Sequence, residues 1–348
     1  MQPLIHTATR ADAQAVALLI RCESALNAAL DDELRRWRAA EPRVVKLAEA
    51  VRAFVLNGGK RLRPAFCVWG YLGADGDPDG AAIASLGAGI ELLHTFALIH
   101  DDVMDDADTR RGLPSVHRQF MSQGSRRFAE GMAILAGDLA HMLAERQLLD
   151  LSPAVRAYWY EMQVELTRGQ ALDMLHGTRR RVERADARRI AILKSGRYTV
   201  VRPLVLGALA AGRTDLERSY RAFGEPLGEA FQLRDDLLGA FGTAEHTGKP
   251  VGDDLREGKP TYLLACGQQL ARGADARLLE RCGDPALDDL TIRRIQHVLV
   301  DSGARAEVEA RLAALGQQAF EALDAAEVPD EVRQELRTLA FSAIWRNT

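Results

Sequence analysis

Residues 91–112 read ELLHTFALIHDDVMDDADTRRG, an apolar helical run that ends in five aspartates and two arginines within thirteen residues. The run before the acids has the spacing of a buried helix, and its extension back to Ala81 is interrupted only by Glu91 and His94, so a core helix is expected over 80–105. On that helix Asp101 and Asp105 stand one turn apart on a single face, with Asp102 beside them. Like charges at that spacing repel, and acids at a helix C-terminus also oppose the helix dipole. A solvated acidic helix end is the bland alternative. A hard divalent cation removes the repulsion: Mg²⁺ takes one or two carboxylates and completes its shell with water and substrate phosphate.

A second stretch, FQLRDDLLG at 231–239, repeats the pattern of an apolar lead-in followed by paired acids, Asp235 and Asp236. Two such pairs suggest metal on two walls of one pocket, bridged by a diphosphate. Gly239 stands where a further aspartate would complete DDxxD, which leaves Asp253 or Asp254 as outer help. Cations sit in loops nearby in the chain. GGKRLRP at 58–64 sets Lys60, Arg61 and Arg63 behind two glycines that allow close backbone approach to an anion, and Arg110 and Arg111 follow the first acidic run. Lys194, Lys249 and Lys259 lie in or beside polar turns. Each alone reads as an ordinary surface cation; their company with two acidic pairs gives them weight.

Outward from these motifs the chain reads as helical. Helices are expected near 10–38, 41–56, 62–73, 80–105, 125–150, 153–176, 186–195, 198–211, 214–240, 260–270, 290–300, 303–325 and 329–345, with almost no strand alternation. No repeat or linker marks a boundary, so 1–348 is expected to be one all-α domain, with 1–20 able to stand apart as a loosely ordered extension. The 348 residues are 47% hydrophobic and 27% charged with formal net charge −4, which argues against nucleic acid as a bulk partner. The arginine run at 179–189 lacks interleaved aromatics and reads as a solvated helix start. Four cysteines, far apart and without metal-ligand spacing, suit a reducing compartment, and no stretch reads as a membrane span or signal peptide, so a cytoplasmic protein is expected.

GGKRLRP, ELLHTFALIHDDVMDDADTRRGLPSVH, AGD at 136–138, GQALDM at 169–174, KSGRYTV at 194–200 and GEAFQLRDDLLGAFG followed by TGKPVGDDLREGK appear in an order that resembles the trans-isoprenyl diphosphate synthases (polyprenyl synthetases), most closely the bacterial geranylgeranyl diphosphate synthase type. The resemblance covers about residues 45–345. It implies the all-α isoprenoid-synthase bundle around a deep central cavity, as a homodimer. It implies Mg²⁺, three ions with substrate bound, at Asp101, Asp102, Asp105, Asp235 and Asp236. Isopentenyl diphosphate would be bound by Lys60, Arg63, His94 and Arg111. The allylic diphosphate would be held by Arg110, Lys194, Ser195, Gln232, Lys249 and Lys259, with Gln170 and Asp173 in the pocket and Asp173 orienting a metal-bound water or a lysine. In such enzymes the residues four and five places before the first motif close the cavity floor. Here they are Ala97 and Phe96, one small and one bulky, which resembles the C20 arrangement. On an ideal helix Ala97 lies nearer the aspartate face, so geometry alone does not make Phe96 the floor.

A C15 or longer product from the same reaction, a class I terpene cyclase and a non-catalytic synthase subunit are the competing readings. The cyclase would not need GGKRLRP and RRG, and the subunit would be expected to carry a broken first motif. An all-α scaffold with fortuitous charges has six co-occurring motifs against it.

Overall fold

The computed structural model describes residues 10–177, 181–242, 251–284 and 286–345. The helices in chain order are α1 (Arg10–Ala40), α2 (Val45–Leu56), α3 (Leu62–Leu72), α4 (Ala81–Met104), α5 (Val116–Phe120), α6 (Arg126–Gln147), α7 (Pro153–Gly177), α8 (Arg184–Ile190), α9 (Arg202–Ala210), α10 (Glu217–Phe241), α11 (Asp253–Glu257), α12 (Tyr262–Leu270), α13 (Gly273–Leu279), α14 (Asp289–Asp301), α15 (Ala304–Asp324) and α16 (Asp330–Ile344). A π-helix, Ala191–Val201, joins α8 to α9, and the two-residue strands β1 (Thr109–Arg110) and β2 (Leu113–Pro114) form a small hairpin. The all-α expectation holds. Packing divides the chain into two compact units, one of Met1–Arg156, Pro203–Leu216 and Val328–Leu336, the other of Ala157–Arg202, Glu217–Glu327 and Arg337–Thr348.

In the first unit α4 is the central element: Ile83, Leu86, Ile90, Leu92, Leu93 and Ile99 are all fully buried. Each such side chain contributes roughly 1.5–3 kcal/mol relative to exposure. α4 lies antiparallel to α6, with Gly89 against Leu148, Phe96 against His141 and His100 against Gly137. By length and composition α4 could cross a membrane, but 61% of its most apolar window is buried within the protein, as befits a core helix. α1 buries Ala11, Ala15, Leu18, Cys22, Leu26, Leu30 and Leu34, one face at three- and four-residue spacing. From Arg10 onward the segment is helix anchored in the core, while residues 1–9 of the stretch expected to be loosely ordered lie outside the described residues. α3 and α9 cross at Gly70 and Gly207, where a Cβ would come within 2.2 Å of the Leu204 carbonyl and 2.1 Å of the Cys67 carbonyl respectively.

In the second unit α10 packs against the π-helix and α15. The sequence predicts two helices, 186–195 and 198–211, interrupted at Gly196. The structure runs without a break, because Gly196 supplies closeness instead of a turn: a Cβ there would lie 2.8 Å from the Gly228 backbone. The register change falls on the KSGRYTV stretch, and π-helical insertions are often found at functional sites. The arginine run expected to be a solvated helix start is, where described, tied down. Arg188 donates from Nε to both carboxylate oxygens of buried Glu229 at 3.0 Å, and Arg184 pairs with Glu307.

Candidate functional site

The acidic end of α4 and the hairpin after it form one structure. Asp105 closes the helix, its N–H donating to the Asp101 carbonyl at 2.8 Å. The chain then turns through β1 and β2, where Arg111 (φ 52°) and Gly112 (φ 76°) occupy a two-residue turn with both backbones left-handed, as primed hairpin turns require. Glycine is at ease there; Arg111 is strained, and such strain concentrates at functional sites. Ser115 ties the base of the hairpin, its N–H donating to Asp108 O at 3.0 Å and its Oγ to Ala107 O at 2.6 Å. Arg118 adds a bond to the Asp106 carboxylate at 2.9 Å.

Arg110 folds back onto the acids. Its Nε donates to Asp102 Oδ1 at 2.8 Å, its Nη2 contacts the same oxygen, and Asp101 Oδ2 lies 3.9 Å away. Burial opposes the Arg110 charge, yet Asp102, then Asp101 and Asp105, hold its pKa above the usual value. Asp102 is fully buried, while Asp101 and Asp105 are part-exposed. Two residues that the resemblance assigned to metal and to substrate, Asp102 and Arg110, therefore engage each other, which sets a positive charge against the acids at the helix end.

The other cations gather around Gly58 and Gly59. Arg111 donates to the Gly58 carbonyl, and its guanidinium stands 3.1–3.3 Å from where a Cβ on Gly59 would be, beside a backbone whose φ of 134° favours glycine. Burial, with Arg61, Arg110 and Arg63 adding repulsion against the pull of Glu91, lowers the Arg111 pKa. His94 is pushed well below its ordinary value, first by loss of water and then by Arg63, Arg111, Arg110 and Arg61. Held neutral, its Nε2 accepts from Arg63 Nη1 at 3.1 Å. Lys60 lies on the exposed loop. Arg61 turns away to brace the fold, bonding Glu23 at 3.0 and 3.1 Å, the Val55 carbonyl at 3.0 Å and buried Glu91. A cleft of about 140 Å³ opens beside the hairpin, lined by Phe54, Asn57, Arg110, Arg111, Leu113 and Gln119 among others. Below the acids, the Phe96 ring packs on His100 (4.7 Å between centroids) and on His141 of α6 (4.9 Å).

In the second unit Lys194, on the π-helix with Ser195, reaches Asp173 Oδ2 at 2.5 Å. Gly169, next to Gln170, lets α7 approach so closely that a Cβ would meet the Lys194 backbone nitrogen at 2.4 Å. Asp236 is buried; its two oxygens accept from Gln232 Nε2 at 2.9 Å and from Tyr262 N–H at 3.1 Å. Burial pushes its pKa up to about 7, with the charges of Asp254 and Asp235 adding to the rise. Asp235 is part-exposed. Gln232 thus holds Asp236, a partnership that its assignment to substrate did not foresee. The place left open by Gly239 is filled: a Cβ on residue 239 would lie 1.9 Å from Asp254 Oδ2. Lys259 Nζ is 2.8 Å from Glu257 and 3.7 Å from Asp254. Lys249 falls outside the described residues.

Among the described residues no three acidic, histidine or cysteine side chains converge as a ready-made metal cage. The donor set nonetheless fits Mg²⁺, which prefers a few hard carboxylate oxygens and relies on phosphate for the rest. The sequence reading missed the Arg110–Asp102 pair, the Arg61–Glu91 brace and the His141 contact. Only the first had a local signal, an arginine eight residues after an aspartate across an evident turn.

A family model described as Polyprenyl synthetase matches residues 44–297. The chain is 33% identical over 309 residues to a geranylfarnesyl diphosphate synthase of Aeropyrum pernix, covering 86% of this chain and 93% of that protein. It is 32% identical over 299 residues to a (2E,6E)-farnesyl diphosphate synthase of Mycobacterium tuberculosis, covering 83% and 80%. Among solved structures it is similar to a geranylgeranyl pyrophosphate synthase from Corynebacterium glutamicum complexed with isoprenyl diphosphate and magnesium, with TM-score 0.88 and 35% identity over 97% of this chain and all of that one.

Proposed function

The chain belongs to the polyprenyl synthetase family of trans-prenyltransferases, and on that premise we propose that it condenses isopentenyl diphosphate with an allylic diphosphate to give C20 geranylgeranyl diphosphate. The observation that carries the substrate reading is the cluster on the first unit. Arg111 closes on a two-glycine loop and Arg63 pairs with a neutral histidine, both among positive charges whose mutual repulsion an anion of high charge density relieves.

Arg63, Arg111 and Lys60 bind the diphosphate of isopentenyl diphosphate, and neutral His94 fixes the Arg63 fork. In this reading Asp101 and Asp105, with Asp102 behind them, would hold Mg²⁺ at the end of α4, and Asp235 and Asp236 would hold it on α10, three ions with both substrates bound. When bound, Mg²⁺ stabilises the negative charge that grows on the leaving diphosphate. Lys194, oriented by Asp173, adds fixed positive charge, as do Arg110, Lys249 and Lys259, while Ser195, Gln170 and Gln232 complete the lining. The allylic C–O bond breaks heterolytically, releasing diphosphate and leaving a carbocation. The double bond of the aligned isopentenyl diphosphate attacks it, forming one C–C bond. Loss of a proton to the released diphosphate restores a double bond in a chain five carbons longer, so no side chain has to act as a strong base.

The C20 length rests on Phe96, bulky and packed on both sides, with Ala97 next to it. The relatives named for C15, C20 and C25 products leave room for other lengths. We take residues 1–348 as one catalytic domain acting in the cytoplasm, where the four free thiols remain reduced. A homodimer is supported by an apolar stripe: Phe128, Leu135, Met142 and Leu149, each seven residues after the last, are 43–64% exposed along α6 and its end. The test is a product assay with Mg²⁺, isopentenyl diphosphate and C5, C10 or C15 allylic primers. C20 prenyl alcohol from all three after phosphatase treatment is expected. Another length overturns the product assignment, and absence of elongation overturns the condensation.

A further inference from the structure

We propose that His141, on α6, is a second determinant of product length, forming with Phe96 the barrier that stops the growing prenyl chain. The inference rests on the reading of Phe96 as the floor and explains how that residue can serve as one. Five residues before Asp101, Phe96 lies about 140° around an ideal helix from it. A ring so placed points sideways from the aspartate face, and Ala97, which lies nearer that face, is too small to block anything.

A sideways ring closes a channel only if something across from it extends the obstruction. His141 does this. Its imidazole lies 4.9 Å from the Phe96 ring at an interplanar angle of 37°, a tilted contact that spans the α4–α6 gap. His100, one turn along α4, also meets the Phe96 ring, edge-on at 4.7 Å. His100 is itself pinned: its Nε2 lies 3.0 Å from the Ile134 carbonyl, and it occupies the space where a Cβ on Gly137 would be, 2.2 Å from its Nε2. Phe96 is thus braced along α4 by His100 and across the gap by His141.

The experiment is the length distribution of prenyl alcohols made from isopentenyl diphosphate and a C15 primer by wild type, His141→Ala, His141→Gln, His141→Phe and Phe96→Ala. His141→Ala and His141→Gln are expected to raise the ratio of longer to wild-type-length product about fivefold, the factor expected from losing one aromatic contact. His141→Phe, which keeps a ring, is expected to keep the wild-type length. Should His141→Ala fail to fold, His141→Gln, close to histidine in size and polarity, decides. Wild-type lengths from both ring-less variants, with longer products from Phe96→Ala, overturn the role of His141 and leave Phe96 as the floor alone. Wild-type lengths from all four variants overturn the Phe96 floor, and the role of His141 with it.

Discussion

Gly239→Ala is expected to separate folding from metal use. In wild type the Asp254 carboxylate lies where a side chain on residue 239 would begin, 1.9 Å from an ideal Cβ, so alanine must drive it out. What yields is the end of a side chain, and the fold has little to lose. Alanine in place of glycine inside α10 gains about 1 kcal/mol of helix propensity. The part-exposed Lys259–Asp254 pair that is disturbed is worth less than about 1 kcal/mol. Unfolding stability should therefore stay within about 1 kcal/mol of wild type, a few degrees in melting temperature. Metal use should not stay constant. On the reading that Asp254 would supply the outer carboxylate that residue 239 lacks, its displacement should weaken Mg²⁺ binding about 10–100-fold, the range for losing a supporting partner of a metal ligand. The assays are the Mg²⁺ concentration for half-maximal isopentenyl diphosphate incorporation and, independent of turnover, the rise in melting temperature on adding Mg²⁺ with inorganic pyrophosphate. Asp254→Asn should do the same, and the double variant should add nothing further, since both remove one carboxylate from one place. A Gly239→Ala protein with wild-type Mg²⁺ dependence and a wild-type thermal response would refute the reasoning.

Arg111→Ala should lower kcat/KM for isopentenyl diphosphate roughly tenfold to a hundredfold, through KM more than kcat. One charge-assisted contact is worth about 1.5–3 kcal/mol, and in the proposed reading the strained arginine would touch the substrate, not the breaking bond; steady-state kinetics with the two substrates varied separately check this. His94 gives a pH signature. Its folded pKa lies below 6.5, so under acid the unfolded chain takes up a proton that the folded one resists, and its contribution to stability is lost as pH falls below about 6.5. In thermal melts the stability gap between wild type and His94→Gln should narrow from pH 7.5 to pH 5.5 (about one unit either side of 6.5), and a gap that widens would show His94 to be charged in the fold.

The sequence by itself determined the all-α class, the position of the core helix ahead of Asp101, and both acidic pairs. Each is local: periodicity of 3.6 residues and the repulsion of acids one turn apart are legible without neighbours. It also separated two glycine uses poorly. Gly58 and Gly59 read correctly as a loop, but Gly196 read as a helix breaker, because its purpose is the backbone of Gly228, thirty-two residues away. The roles within each motif were decided by tertiary structure. Arg61 and Arg63, two residues apart in one cationic loop, part company because buried Glu91 claims the first and His94 engages the second. Only folding brings the Asp254 carboxylate to Gly239 and lays His141 of α6 against Phe96. Chemistry that depends on which side chains repel along one helix is written in the chain; chemistry that depends on which distant group neutralises, braces or displaces them exists only once the helices are packed.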